Sequence, residues 1–160
     1  YTTLFRSMSL NKMTSIIIDG DACPVIQSVI ELTSGTGIFV IIVRSFSHYT
    51  TQTYPEHVNT IYVDDGPDAV DYKIVQLAQS KDIVITQDYG LASLLLNKVK
   101  TVLHHKGYIY NSTNIDMLIQ QRYNHAQLRK QGGRHKGPTP FSNKDQQHFE
   151  HIFRRVLSQI

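Results

Sequence analysis

The sequence predicts an α/β fold, a doubly wound and mainly parallel sheet with helices on both faces in a Rossmann-like three-layer arrangement. Three observations predict it. Short apolar runs rich in β-branched residues recur at 16–18, 38–43, 60–63, 83–86 and 99–103, each too brief for a helix. Segments with helical spacing alternate with several of them, at 24–34, 68–79 and 89–96. The runs are also continuous rather than alternating, as expected of strands covered on both faces.

Residues 1–12 lack the sustained apolar core of a signal peptide and are read as a leader, an alternative start or a cloning remnant, leaving one domain over 13–160. Met13-Thr14-Ser15 leads into the first strand, Ile16-Ile17-Ile18. Pro24 suits the first turn of a helix whose apolar side is Val25, Ile26, Val29, Ile30 and Leu32, and Ser34-Gly35-Thr36-Gly37 ends it. The second strand, 38–43, runs into a polar loop over 44–56. The third, 60–63, meets the turn Asp64-Asp65-Gly66-Pro67, then a helix over 68–79 with Ala69, Val70, Ile74, Leu77 and Ala78 inward. Strand 83–86 ends in Gln87-Asp88 before the helix 89–96, and 99–103 is a fifth strand. A polar and aromatic stretch, 104–113, precedes a helix capped by Asn114 and running to about Lys130, marked by Ile115, Leu118, Ile119 and Leu128. Three glycines and two prolines make 131–140 a loop, basic at its centre. Ser142-Asn143-Lys144-Asp145 resembles a capping box opening a last helix with Phe149, Ile152, Phe153, Val156 and Leu157 on its apolar stripe.

No apolar stretch approaches the roughly 20 residues that span a bilayer, so no membrane partner is expected. Cys23 is the only cysteine, so no intramolecular disulfide can form and a reducing cytoplasm is the expected compartment. A nucleophilic role for Cys23 is opposed by the carboxylates beside it. The net charge is only +3, but eight of the ten aspartates fall between Asp19 and Asp88, whereas most lysines and arginines follow position 97. That asymmetry suits an anionic partner held by a metal at one place and by cations at another.

Asp19-Gly20-Asp21 at the end of the first strand puts two carboxylates where open α/β sheets bind ligands, beyond the carboxyl ends of their strands. Period-2 alternation would place both on one side of the chain, where they repel unless a cation or shared proton relieves them. Hard divalent ions with oxygen ligands, Mg or Mn, answer that need. The third strand is followed by Asp68 and Asp71, spaced i, i+3 on one helix face, and the fourth by Asp88. Asp19, Asp21, Asp71 and Asp88 are therefore the candidate catalytic and metal-ligating residues, with Asp68 the weaker member because a first helical turn favours aspartate by itself. The plain structural alternative makes Asp19 and Asp88 helix caps and Asp21 a turn residue.

Several stretches in order, Asp19-Gly20-Asp21-Ala22-Cys23-Pro24-Val25, Asp68-Ala69-Val70-Asp71, Ile85-Thr86-Gln87-Asp88-Tyr89-Gly90-Leu91-Ala92, His105-Lys106-Gly107, Asn114-Ile115-Asp116, Gly133-Arg134 with Lys136-Gly137-Pro138, and Phe141-Ser142 with Asp145, resemble the YaiI/YqxD family of small, functionally uncharacterised bacterial proteins. The likeness covers about 15–157. That family is placed in the PIN-like superfamily, whose active members are metal-dependent nucleases with clustered acidic residues. The resemblance implies a metal-dependent nuclease acting through Asp19, Asp21, Asp71 and Asp88, and the basic, glycine-rich loop with the C-terminal excess of cations suits a single-stranded nucleic acid, RNA above DNA. The family more often has alanine where this chain has Gly20 and Val70, which changes neither carboxylate. On that reading Arg44, Lys106, Arg122, Arg129, Arg134 and Lys136 are candidate phosphate contacts, and Tyr108, Tyr110 and Tyr123 candidate stacking surfaces for unpaired bases.

Two other readings compete. A strand followed by Asp-x-Asp also opens the haloacid-dehalogenase-like phosphatases, with Asp19 as nucleophile and Asp21 as acid and base. A non-catalytic RNA- or protein-binding module could keep the fold and use its aspartates for a structural cation only. A histidine zinc site lacks a recognisable spacing: His148 and His151 share a helix face, but no cysteine or third histidine completes a set.

Overall fold

A computed structural model describes residues 13–133 and 139–160. Its elements, in chain order, are β1 (Ser15–Asp19), α1 (Ile26–Thr33), β2 (Phe39–Ser45), β3 (Val58–Val63), α2 (Ala69–Leu77), β4 (Ile83–Ile85), α3 (Tyr89–Leu95), β5 (Thr101–Leu103), α4 (Ser112–Lys130) and α5 (Asn143–Leu157), with 3-10 turns at Gly20–Ala22 and Phe46–His48. The five strands form one parallel sheet in the order β3-β2-β1-β4-β5. The doubly wound, three-layer expectation is met.

Because side chains alternate across a strand, β1 feeds two cores. Ile16 and Ile18 join Val40, Ile42, Ile83 and Ile85 under α1 and α5, where Phe149 and Phe153 are stacked with ring centroids 5.4 Å apart. Ile17 joins Ile41, Val43 and Val84 under α2, α3 and the start of α4. A central strand buried on both sides has no polar position to offer, which is why β1 reads as an unbroken isoleucine run.

The strand order reverses at β1, with β2 and β3 on one side and β4 and β5 on the other. A crevice opens at the C-terminal end of such a switch point, here between β1 and β4.

The structure corrects several sequence boundaries. β2 runs to Ser45, and the next turn begins at Phe46, because Arg44 and Ser45 still pair with Tyr62 and Val63 of β3. β3 starts at Val58, two residues earlier than its apolar run. The N-cap of α4 is Asn111, whose side chain accepts from the Asn114 amide at 2.8 Å, while Asn114 answers as the third helical residue, accepting from the Asn111 amide at 2.9 Å. Two asparagines closing a reciprocal box lie outside the usual Ser/Thr…Glu/Gln pattern. The expected box at α5 is present: Ser142 Oγ accepts from the Asp145 amide at 3.1 Å, and Asp145 Oδ2 from the Ser142 amide at 3.0 Å. His104 and His105 do not point apart as in an extended chain. They sit in a tight turn with rings 4.4 Å apart, because Gly107, at φ 95°, folds the chain back against α5. A Cβ there would fall 2.4 Å from His148 Cδ2. No described helix is long and apolar enough to cross a membrane.

Candidate functional site

The crevice at the β1–β4 switch is lined by carboxylates delivered from separate elements. Asp19 closes β1, and Asp88 follows β4 as the N-cap of α3. Asp71 is the third residue of α2, nearer its start than helical spacing alone indicates, with Asp68 as N-cap before it.

Thr86, buried at the end of β4, ties the first two together. Its hydroxyl donates to Asp19 Oδ2 at 2.8 Å and accepts from the Asp88 amide at 3.0 Å. Asp88 Oδ1 accepts from the Gly90 and Leu91 amides at 2.8 and 3.2 Å. Asp88 is thus a true cap, and its carboxylate also shares a hydrogen bond with Asp71.

Electrostatics records how close these groups stand. Burial pushes Asp71 up to about 7, helped by the charges of Asp88, Asp19 and Asp68 and by a hydrogen bond shared with Asp88. Asp19 is also raised, first by burial and then by Asp21 and Asp88, against the lowering effect of Thr86. In the metal-free protein Asp71 therefore holds a proton near neutrality and relieves the repulsion that a cation would otherwise relieve.

The structure separates Asp21 from this trio. The 3-10 turn at Gly20–Ala22 breaks the alternation expected of an extended chain, so Asp19 turns toward β4 and Asp21 toward β2. Asp21 Oδ1 accepts from the Ser45 amide at 2.9 Å and Oδ2 from its hydroxyl at 2.8 Å, and His48 Nδ1 stands 3.3 Å from Oδ1. Asp21 still raises Asp19, but it is not among the charges acting on Asp71.

Among the described residues no three His, Cys, Asp or Glu side chains are grouped so as to hold one ion in a ready cage. Mg is less demanding, being held by one or two carboxylates together with waters and substrate phosphate. Asp71 and Asp88, with Asp19 beside them, are the residues that would hold such an ion.

The cationic and aromatic candidates sort by position. Arg44 leaves β2 beside the Gly20–Ala22 turn and donates to the Tyr54 hydroxyl at 3.1 Å. Arg122 is exposed on α4 and donates to the Tyr89 hydroxyl at 3.3 Å, within the field of Asp88. Lys106 donates to the Thr139 carbonyl at 3.1 Å. Arg129 is exposed in the last turn of α4, and Arg134 and Lys136 lie outside the described residues. Tyr108 is partly open, its ring stacked on His104 at 4.5 Å, and Tyr123 is exposed. Tyr110 is not a stacking surface: it is 3 % exposed, and its hydroxyl donates to the Thr86 carbonyl at 3.1 Å, bracing the end of β4 from beneath. Burial raises its phenol accordingly.

Thr86, Ser45 and His48 escaped the sequence reading. Thr86 carried a signal, being the polar residue that closes the apolar run of β4 next to Asp88. Ser45 carried none, because its role depends on Asp21 turning toward β2.

The chain is 72 % identical over 148 residues to a UPF0178 protein of Staphylococcus haemolyticus, covering 92 % of this chain and 100 % of that one. It is 68 % identical over 147 residues to one from Staphylococcus epidermidis (92 % and 99 % covered) and 67 % over 148 to one from Staphylococcus aureus (92 % and 97 %). No solved structure matches it significantly. Residues 17–159 match the family described as "Uncharacterized BCR, YaiI/YqxD family", and the chain belongs to that family.

Proposed function

We propose that the acidic edge makes this protein a metal-dependent nuclease, binding Mg or Mn and cutting single-stranded nucleic acid, RNA above DNA. The observation that carries the reading is the convergence of Asp19, Asp71 and Asp88 from three elements at the sheet's switch point, close enough to raise Asp71 to about 7. The strand order is compatible with a PIN-like assignment. A bound divalent ion would supply Lewis-acid stabilisation of a phosphodiester and a more acidic water. The chain's own part is orientation. Thr86 fixes Asp19 and the Asp88 amide, the two α3 amides fix Asp88, and Arg122 and Lys106 offer cations near the edge for the strand's phosphates.

The phosphatase alternative requires Asp21 free to exchange a proton beside Asp19, whereas both oxygens of Asp21 accept from Ser45. The decisive experiment incubates the full chain with a mixed pool of single-stranded RNA and DNA, with and without Mg or Mn. Metal-dependent cleavage that falls about 100-fold or more in Asp71→Asn and Asp88→Asn is expected. Metal binding without cleavage would leave a binding module, and trapping of a phosphorylated Asp19 would favour the phosphatase.

A further inference from the structure

Two open clefts border the acidic edge and share a wall. One, of about 580 Å³, lies between the Gly20–Ala22 turn and Arg44, His48 and Tyr49. The other, of about 440 Å³, lies between Tyr89, Lys106 and Tyr108. Gln87, His105 and Phe141 line both, so a ligand can run from one to the other across this shared wall. Each volume falls within the roughly 300–1,000 Å³ of small-molecule sites.

We propose that this pair of clefts is the track of the single strand, one nucleotide seated beside Arg44 and Tyr49 and its neighbour beside Lys106 and Tyr108, with Phe141 between them. The choice of nucleic acid rests on the function proposed above; the track itself is a separate claim.

Arg44 is the strongest argument. A guanidinium carries five N–H donors, yet Arg44 makes one hydrogen bond, to Tyr54, and no ion pair among the described residues; its buried Nε has no partner. Its stem lies against Gly20, where an added Cβ would fall 2.8 Å from Arg44 Cγ and 2.7 Å from Ile42 Cγ2. The bare glycine is what lets the cation settle into the cleft. The one carboxylate lining that cleft, Asp21, is already engaged by Ser45 and His48, which reduces its repulsion of a phosphate.

The aromatic surfaces supply the second argument. Tyr49 is 64 % exposed and leans on Tyr62 with centroids 5.2 Å apart. Phe141 meets the His105 ring edge-on at 5.5 Å, and Tyr108 stacks on His104. Rings braced from behind beside cations are how sequence-tolerant single-strand grooves work: the rings stack bases and the cations follow the phosphates.

The test is anisotropy of a short labelled single-stranded RNA with the full chain in EDTA, so that binding is read apart from cleavage. Tyr49→Ala and Phe141→Ala should each weaken binding about tenfold, and Arg44→Gln should weaken it and lower the salt slope by about one. Tyr49 is exposed, so its variant remains informative even if Arg44→Gln perturbs the Tyr54 contact; circular dichroism confirms folding. Parent-like affinity in both aromatic variants, absence of any RNA binding by the parent, or tighter binding of an acidic peptide than of RNA would overturn the track. A parent that cleaves, with aromatic variants that bind as well as it does, removes the track and spares the nuclease. A parent that binds RNA through these residues but never cleaves it keeps the track and removes the nuclease.

Discussion

Aspartates sit at both ends of the sheet, and the two ends treat them oppositely. At the N-terminal end Asp82 is fully buried: Oδ1 accepts from the Ser15 amide at 3.0 Å and Oδ2 from the Gln79 amide at 2.8 Å, pinning the start of β1 to the entry of β4. At the C-terminal end Asp19, Asp71 and Asp88 crowd one another: the charges of Asp88 and Asp19 raise the proton affinity of Asp71, and that of Asp88 raises Asp19. A carboxylate with a structural task has its oxygens committed to the fold. Carboxylates gathered at a cost fit the ligand-facing role proposed for this edge.

The comparison breaks most visibly at Asp82. Asp82→Ala strands two backbone donors, the Ser15 amide among them buried, and should cost about 3 kcal/mol or more, a fall of roughly 6–12 °C in melting temperature for a domain of this size. Urea denaturation of the variant checks it. A loss under about 1 kcal/mol would mean water replaces the carboxylate freely and that the two ends do not differ in kind.

Asp71→Asn should act in the opposite direction. The folded protein holds Asp71 near 7, above its ordinary value of 3.8, so the unfolded chain releases this proton first. Stability is then undiminished below pH 4, falls as pH rises from about 4 to 7, and stays diminished above. Asparagine removes that loss. With the group only partly buried, screening reduces the gain to about 1–2 kcal/mol at pH 8 in metal-free buffer, vanishing toward pH 4. Melts across pH check it, and a gain independent of pH would sink the account.

How much of this was legible in the sequence differs between the two ends as well. The acidic edge could be read because Asp19, Asp71 and Asp88 each follow an apolar run or open the helix after one, and a parallel sheet sends all such positions to one edge. Asp82 could not, because its partners are backbone amides that come together only when β1 and β4 pair. Asp21 was misplaced for a related reason: alternation holds only while the chain is extended, and the turn at Gly20 ends it. Tyr110 shows the limit for aromatics, since nothing in 104–113 separates a ring that braces β4 from one that faces solvent. The strand runs were the most legible part, because burial on both faces leaves a continuous apolar signature that does not depend on partners.

A third test sharpens the contrast through metal. At about ten times its dissociation constant Mg or Mn should stabilise the parent by about 1.4 kcal/mol, release protons near neutrality as Asp71 is displaced from its protonated form, and do neither in Asp71→Asn. Calorimetry in two buffers of different ionisation enthalpy reads the protons. Equal stabilisation of parent and variant would place the ion elsewhere.

The smallest expected effect is the most discriminating. Asp88 has two tasks, capping α3 through Oδ1 and facing Asp71 and Asp19 through its charge. Asparagine caps as well as aspartate. It forfeits a favourable charge at a helix N-terminus, about 0.3–1 kcal/mol, and recovers a similar amount by removing repulsion from Asp19 and, above about pH 7, from Asp71. Asp88→Asn should therefore leave metal-free stability within about 0.5 kcal/mol of the parent, whereas Asp88→Ala, which loses the cap, should cost about 1 kcal/mol. The same asparagine should abolish the stabilisation by Mg, because the neutral amide is a poor ligand for a hard cation. Chemical denaturation of the three proteins with and without Mg separates the tasks. If Asp88→Asn were as damaging as Asp88→Ala without metal, the charge itself would serve the fold, and Asp88 would belong with Asp82 rather than with a ligand-facing edge.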